Sequence, residues 1–198
     1  MARFKRGEKV VEPSIGLCDV EGVRRMNYDG KEQDYYILKA AHTRLYVPVD
    51  RAEKQGIRRP MTADEVKKIH ALLKQPVSPN RTDSRLQYLN YREIIKSGDP
   101  QKISRLLRDL YILEQSDDLK GKERDIMEQA KRFLCDEITF VKNQPKTKVM
   151  EQINESLRAM YKKKVAKDRE KAQKRKKVTG KMVETKFDDQ DVEEDEEE

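Results

Sequence analysis

The stretch Pro60-Met61-Thr62-Ala63-Asp64-Glu65-Val66 decides the fold, because the chain changes its period there. After it, apolar residues return at helical spacing. Val66, Ile69, Leu72 and Leu73 mark one face, and Thr62 with Glu65 forms a capping box in which hydroxyl and carboxylate satisfy free amides of the first turn. Before it, Val10-Val11, Leu17 to Val23, Asp34 to Lys39 and Arg44 to Val49 are rich in β-branched and aromatic residues. Turn signals separate these runs: Pro13 with Gly16, Asp29-Gly30, and Gly56. Asp29-Gly30 is a hairpin signal, because a tight type I′ turn needs positive φ that glycine accepts without steric cost. Short strands with close turns predict a small, strongly bent Tudor/SH3-like β-barrel over residues 1–60 with a usable sheet edge.

Downstream, the pattern predicts an all-helical bundle over 61–160, so the fold class is α+β. Pro76 and Pro79 close the first helix. A second carries Leu86, Leu89 and Ile94 and stops at Ser97-Gly98. Asp99 and Pro100 read as N-cap and first residue of a third, with Ile103, Leu106, Leu107, Leu110 and Tyr111 on its stripe. After Asp117-Asp118 a fourth carries Ile126, Met127, Ala130, Phe133, Leu134, Ile138 and Val141. Val149, Ile153, Leu157 and Met160 add a further stripe. Such helices need one another, since each is marginal when isolated.

Residues 161–198 differ. Lys162-Lys163-Lys164, Lys167, Arg169, Lys171 and Lys174-Arg175-Lys176-Lys177 make a basic run without a core face, and from Asp188 onward every charge is negative. A charged C-terminal extension follows: a basic arm, which either carries the preceding helix on as a solvated rod or is extended or disordered, with an acidic tip that cannot bury enough apolar surface to order itself.

Composition narrows the function. Net charge is +7, the isoelectric point is near 9.2 and mean hydropathy is -1.01. A basic balance favours an anionic partner, usually nucleic acid. No apolar run is long enough for a membrane span, and no secretory h-region follows Met1. Cys18 and Cys135 stand far apart and read as buried free thiols in a reducing cytosol. Nothing points to an enzyme: no glycine-rich phosphate loop, no nucleophile elbow, and His42 and His70 stand alone, so no cofactor or metal is expected. Basic residues flank the second helix (Arg81, Arg85, Arg92, Lys96, with Tyr88 among them) and open the fourth (Lys120, Lys122, Arg124), where side-chain charge and free helix amides suit a phosphate; an ordinary solvated surface is the other reading, and composition alone favours it.

Phe4-Lys5-Arg6-Gly7-Glu8-Lys9-Val10-Val11-Glu12-Pro13 with Gly16 resembles the opening of the CarD/CdnL family. Tyr35-Tyr36-Ile37-Leu38, Leu45-Tyr46-Val47-Pro48 and Gly56-Ile57-Arg58 are similar to its next signatures. Lys96-Ser97-Gly98-Asp99, Arg108-Asp109-Leu110-Tyr111 and Leu119-Lys120-Gly121-Lys122-Glu123-Arg124 continue the match, which runs from about Arg3 to Val141. The resemblance implies a Tudor-like domain that docks on the β subunit of RNA polymerase through Arg25, Met26, Arg44 and Tyr46. It also implies a helical domain that meets promoter DNA at the upstream edge of the bubble through Arg81, Ser84, Arg85, Tyr88 and Arg124. The implied protein is a monomeric, cytoplasmic, nucleoid-associated bacterial regulator that stabilises the open complex. One departure stands out: the family's minor-groove Trp has no counterpart, Ser84 occupying its place, and Gln87 and Leu89 stand where Lys or Arg is common. A general basic DNA- or RNA-binding protein without polymerase specificity is the alternative reading.

Overall fold

The computed structural model describes residues 3–28, 30–40, 43–77 and 84–187, without the side chains of 28, 84, 85 and 174–187. Four strands, β1 (Lys9–Glu12), β2 (Gly16–Tyr28), β3 (Lys31–Lys39) and β4 (Arg44–Pro48), form an antiparallel meander in that order. The long β2–β3 hairpin closes with Tyr28 opposite Lys31, and Gly30 has φ +73°, as the turn requires. Asp29 lies outside the described residues. A register shift between Val20 and Gly22 bulges β2 and bends it. The sheet curls into a Tudor-like half-barrel around Phe4, Val10, Cys18, Val20, Tyr36, Leu38, Val47 and Ile57. Among the described residues β4 has no strand on its outer side.

Five helices follow: α1 (Ala63–Leu73), α2 (Ser84–Ser97), α3 (Pro100–Gln115), α4 (Gly121–Lys142) and α5 (Lys146–Phe187). The capping box at Thr62 and Glu65 opens α1, and the Asp99 carboxylate accepts from the amides of Gln101 and Lys102 at the start of α3. Asp117-Asp118 lies in the turn between α3 and α4. Asp117 has φ +55° and the Asp118 amide donates to Leu113 O, leaving Lys120 as the N-cap of α4. The Glu123 carboxylate accepts from the Lys120 amide there.

The bundle core joins Val66, Ile69, Leu73, Ile103, Leu107, Leu110, Met127, Leu134, Ile138, Val149, Ile153 and Leu157. Helix α2 departs from its expected stripe. Leu86 and Leu89 are 61% and 51% exposed, while Tyr91 and Ile95 are buried. Ile94 is half-buried against the core, as expected. The two cysteines are free and buried, Cys18 in the sheet core and Cys135 in the helical core. Burial pushes the Cys18 thiol up to about 11. Residues 162–171 continue α5, which runs unbroken to Phe187. The acidic residues 188–198 lie outside the described residues.

Sheet and helices share one junction. Val11 of β1 belongs to the helical core, and its backbone pairs with Arg58, N to O at 2.8 Å and O from N at 3.2 Å. The Arg58 guanidinium donates two bonds to Glu137 of α4, at 2.6 and 2.7 Å, and a third to Gly98 O at 2.8 Å. Glu137 also accepts from the Met61 amide at 2.7 Å. Pro13 nests between Gly56 and Gly98, where an added Cβ on either glycine would stand 2.9 Å from its Cγ. Both glycines have positive φ, +80° and +63°. A segment this heavily constrained fixes how the sheet sits on the bundle.

Candidate functional site

Two outward surfaces carry the candidate residues. On the sheet, side chains alternate between faces, and directly opposed residues share a face. Tyr36 and Leu38 point into the half-barrel, so Ile37 and Lys39 point out. Tyr46 lies opposite Ile37, and Arg44 opposite Lys39. Met26, opposite Gln33, falls on the same outward face. Arg25, opposite Asp34, falls on the other, where it pairs with Glu32 at 3.4 Å. The structure therefore brings Met26, Arg44 and Tyr46 to one face and separates Arg25 from them. Tyr46 is 50% exposed on the open edge strand, outside the core. Arg44 grips Glu21 with two contacts, at 2.9 and 3.0 Å, and Lys39 stands 4.0 Å from the same carboxylate.

The second surface is a groove between α2 and α4. Tyr88, Arg92 and Lys96 repeat every four residues along α2 and so share a flank. Lys122, Asp125 and Gln129 face them from α4, over a floor of Ile95 and Ile126, and enclose about 520 Å³. The Lys122 ammonium sits 5.9 Å from the Tyr88 ring centre, a cation–π contact that ties the two helices. Pro13 and Ser14, from the β1–β2 turn, close one end. Arg124 is exposed, but two helical steps place it about 200° around α4 from Lys122. The basic cluster read from sequence at the start of α4 is thus divided between two flanks. Arg81 lies outside the described residues, as do the side chains of Ser84 and Arg85, whose backbone opens α2.

Arg92, Lys96 and Lys122 are the groove's cations, and none stood among the DNA-contacting residues that the resemblance implies. Their shared flank is visible in the four-residue spacing on α2. The approach of Lys122 to Tyr88 is a tertiary fact that no local pattern carries. Leu86 and Leu89 stand exposed on the same helix, at its opening.

A half-buried polar cluster lies elsewhere in the bundle. His70 of α1 accepts from Lys142 of α4 across 3.2 Å, and Lys142 also donates to Gln152 of α5 at 3.1 Å. Burial first, then Lys142 and Lys74, hold the His70 imidazole down to about 4. Burial also lowers Lys142. This histidine is neutral and structural at physiological pH.

Among the described residues no group of His, Cys, Asp and Glu is placed to hold a metal ion, and no helix is long and apolar enough to cross a membrane. Comparison with known proteins assigns both halves. Residues 4–61 match the CarD-like/TRCF RID domain, and residues 68–154 match CarD, C-terminal domain. A protein of Bacillus subtilis (strain 168), "Putative transcription factor YdeB", is 22% identical over 141 residues, which are 70% of this chain and 92% of that one. A Tudor-like half-barrel followed by a helical bundle, with the two matches in that order along the chain, agrees with the sequence motifs: the chain belongs to the CarD family of transcription regulators.

Proposed function

We propose that this regulator works by binding alone, holding the RNA polymerase β subunit with its sheet and promoter DNA at the upstream edge of the bubble with its helices. Residues 1–60 serve the polymerase, 61–160 the DNA, and 161–198 form a charged extension, in a cytoplasmic, nucleoid-associated monomer. The observation that carries the polymerase half is the half-exposed Tyr46 on the open β4 edge, inside the segment that matches the RID domain. An open edge offers backbone hydrogen bonds to an incoming strand, and alternate outward side chains, here Arg44 and Tyr46, provide selectivity. On the helices, Arg92, Lys96 and Lys122 supply phosphate contacts beside Tyr88. Leu86 and Leu89 supply apolar surface of the kind that wedges between base steps. Binding the open complex better than the closed one by about 1.4 kcal/mol shifts their ratio about tenfold.

The test uses the full chain, because Val11 and Arg58 tie the sheet to the helices. Tyr46→Ala with Arg44→Glu should cut retention of RNA polymerase by about thirtyfold, the scale of an interface hot spot. The melting transition should stay within about 0.5 kcal/mol of the parent. Leu86→Ser with Leu89→Ser should keep polymerase retention and shorten open-complex lifetime. Unchanged retention in the first variant sinks the polymerase assignment, and unchanged lifetime in the second sinks the wedge. The alternative, a general basic nucleic-acid binder, draws on the long basic part of α5. It is favoured if the parent chain retains no polymerase at all.

A further inference from the structure

The geometry points to a second DNA contact, made by the overhanging half of α5. It extends the DNA side of the function proposed above and lies beyond the residues that either family match covers, which end at 154. α4 and α5 are joined by the short link 143–145. Lys146 stands beside Asp136, 2.6 Å from its carboxylate, and Cys135 Sγ meets Lys146 O at 3.5 Å. Fifteen residues further along α5, the Tyr161 ring stacks edge-on against Tyr111 with centres 6.4 Å apart, near the C-terminal end of α3, the end from which the chain passes into α4. Met160 is the last buried residue of α5 among those with described side chains. Residues 162–187 of this helix lie beyond that last buried contact, so ~39 Å of α5 projects past the bundle.

Where it projects matters. Lys120, Lys122 and Arg124 open α4 at that same end, with Tyr88 against Lys122. The overhang therefore springs from the end of the bundle that carries the basic groove.

Its chemistry selects a uniformly charged partner. Lys164, Lys167 and Lys171 continue the face of Ile153, Leu157 and Met160, replacing apolar residues with ammonium groups. Lys162 and Arg169 lie about 200° around from that face. Charge thus surrounds the rod, and between Lys162 and Gln173 only Val165, Ala166 and Ala172 are apolar. Lysine is depleted from protein–protein interface cores, and a rod without an apolar stripe offers a protein little to bury. A phosphate backbone needs only the charge. The overhang matches about one turn of duplex in length. It lies along double-stranded DNA next to the groove and adds affinity without reading sequence.

The test is made on the intact chain with Lys162, Lys163, Lys167, Arg169 and Lys171, all exposed, changed to Gln, which keeps helix propensity. Lys164 is left to its ion pair with Asp168. Binding to a duplex of about 30 base pairs and arbitrary sequence is measured against salt. Affinity should fall at least tenfold at about 100 mM salt, and the slope of log K against log salt should shrink by ~0.9 for each phosphate that the variant no longer neutralises. Unchanged affinity and slope overturn the proposal. A chain ending at 187 controls for the acidic residues 188–198. If the five changes matter only in that shortened chain, the arm is occupied by its own tail and the proposal fails for the intact protein. Retention of RNA polymerase, measured in parallel, keeps the two readings apart. The five-Gln chain should retain polymerase as the parent does. A parent that binds duplex through the arm but retains no polymerase removes the polymerase reading and leaves this one standing.

Discussion

Two arginines in this molecule grip a glutamate with both ends of the guanidinium, and they do different work. Arg58 holds Glu137 at 2.6 and 2.7 Å across the sheet–helix junction, with the glutamate side chain only 2% exposed. Arg44 holds Glu21 at 2.9 and 3.0 Å on the outer face of the sheet, where water reaches both. The buried pair has further partners, the Met61 amide and Gly98 O, and its geometry is fully determined. The exposed pair competes with water and ions. Fork geometry alone does not indicate a role. Burial decides whether a pair sets the architecture or waits at a surface for exchange.

The sharpest way to break the contrast is Glu137→Ala. It leaves the Arg58 guanidinium and the Met61 amide without their acceptor inside the junction. Removing one member of a buried pair costs about 3–5 kcal/mol. Arg58 keeps some solvent access, so the lower end applies. Equilibrium unfolding in urea reads it directly, and a loss below about 1 kcal/mol would mean that the junction does not depend on this pair.

A second, smaller effect separates buried from exposed charge by pH. The His70 imidazole sits at about 4 in the fold against about 6.5 in an unfolded chain. Above 6.5 both states are neutral and the full stability is present. As pH falls below that value the unfolded chain takes a proton that the folded one refuses, so stability declines until about 4. Lys142 and Lys74 face the ring and Gln152 holds Lys142 in place, so the charges acting on it among the described residues are cationic. The full effect is at most about 3.4 kcal/mol, about 2 kcal/mol of it gone by a pH of about 5, and solvent screening at this half-buried ring reduces both. Urea titrations of the parent and of His70→Gln at about pH 7.5 and 5 should show this extra decline in the parent alone. Equal declines would assign it to the carboxylates.

The same distinction explains what the sequence could and could not say. Thr62 with Glu65, Asp99 with Pro100, and the 29–30 turn were readable because each is a local device whose partners lie within three residues. The face of α2 was not readable. Leu86, Leu89 and Ile94 offered a plausible stripe, yet packing against α3 and α4 buried Tyr91 and Ile95 and left the first two leucines outside. The cations at the start of α4 looked like one cluster until helical rotation parted Lys122 from Arg124. Arg58 and Glu137 are 79 residues apart, and nothing in either neighbourhood announces the other. Arg25 shows the cost of a one-residue step in a strand: its neighbour Met26 shares a face with Tyr46 and it does not.

The exposed fork gives the smallest effect on stability and the most direct reading of function. Glu21→Ala should change unfolding free energy by less than about 1 kcal/mol, because an ion pair open to water gains little over its solvated partners. Its consequence for binding has a definite sign. If an acidic group of the polymerase takes Arg44, the guanidinium must first give up Glu21, and Lys39 does not replace it because both are cations. Removing Glu21 abolishes that competition and also removes a carboxylate that would repel the incoming one. Polymerase retention by Glu21→Ala should therefore rise several-fold, with Arg44→Glu in the same background reversing the gain. If retention falls instead, Glu21 is itself a contact or serves to hold Arg44 in its binding pose. The outward face of the sheet would then be preorganised by its ion pair, and the two arginines would resemble each other more than their burial implies.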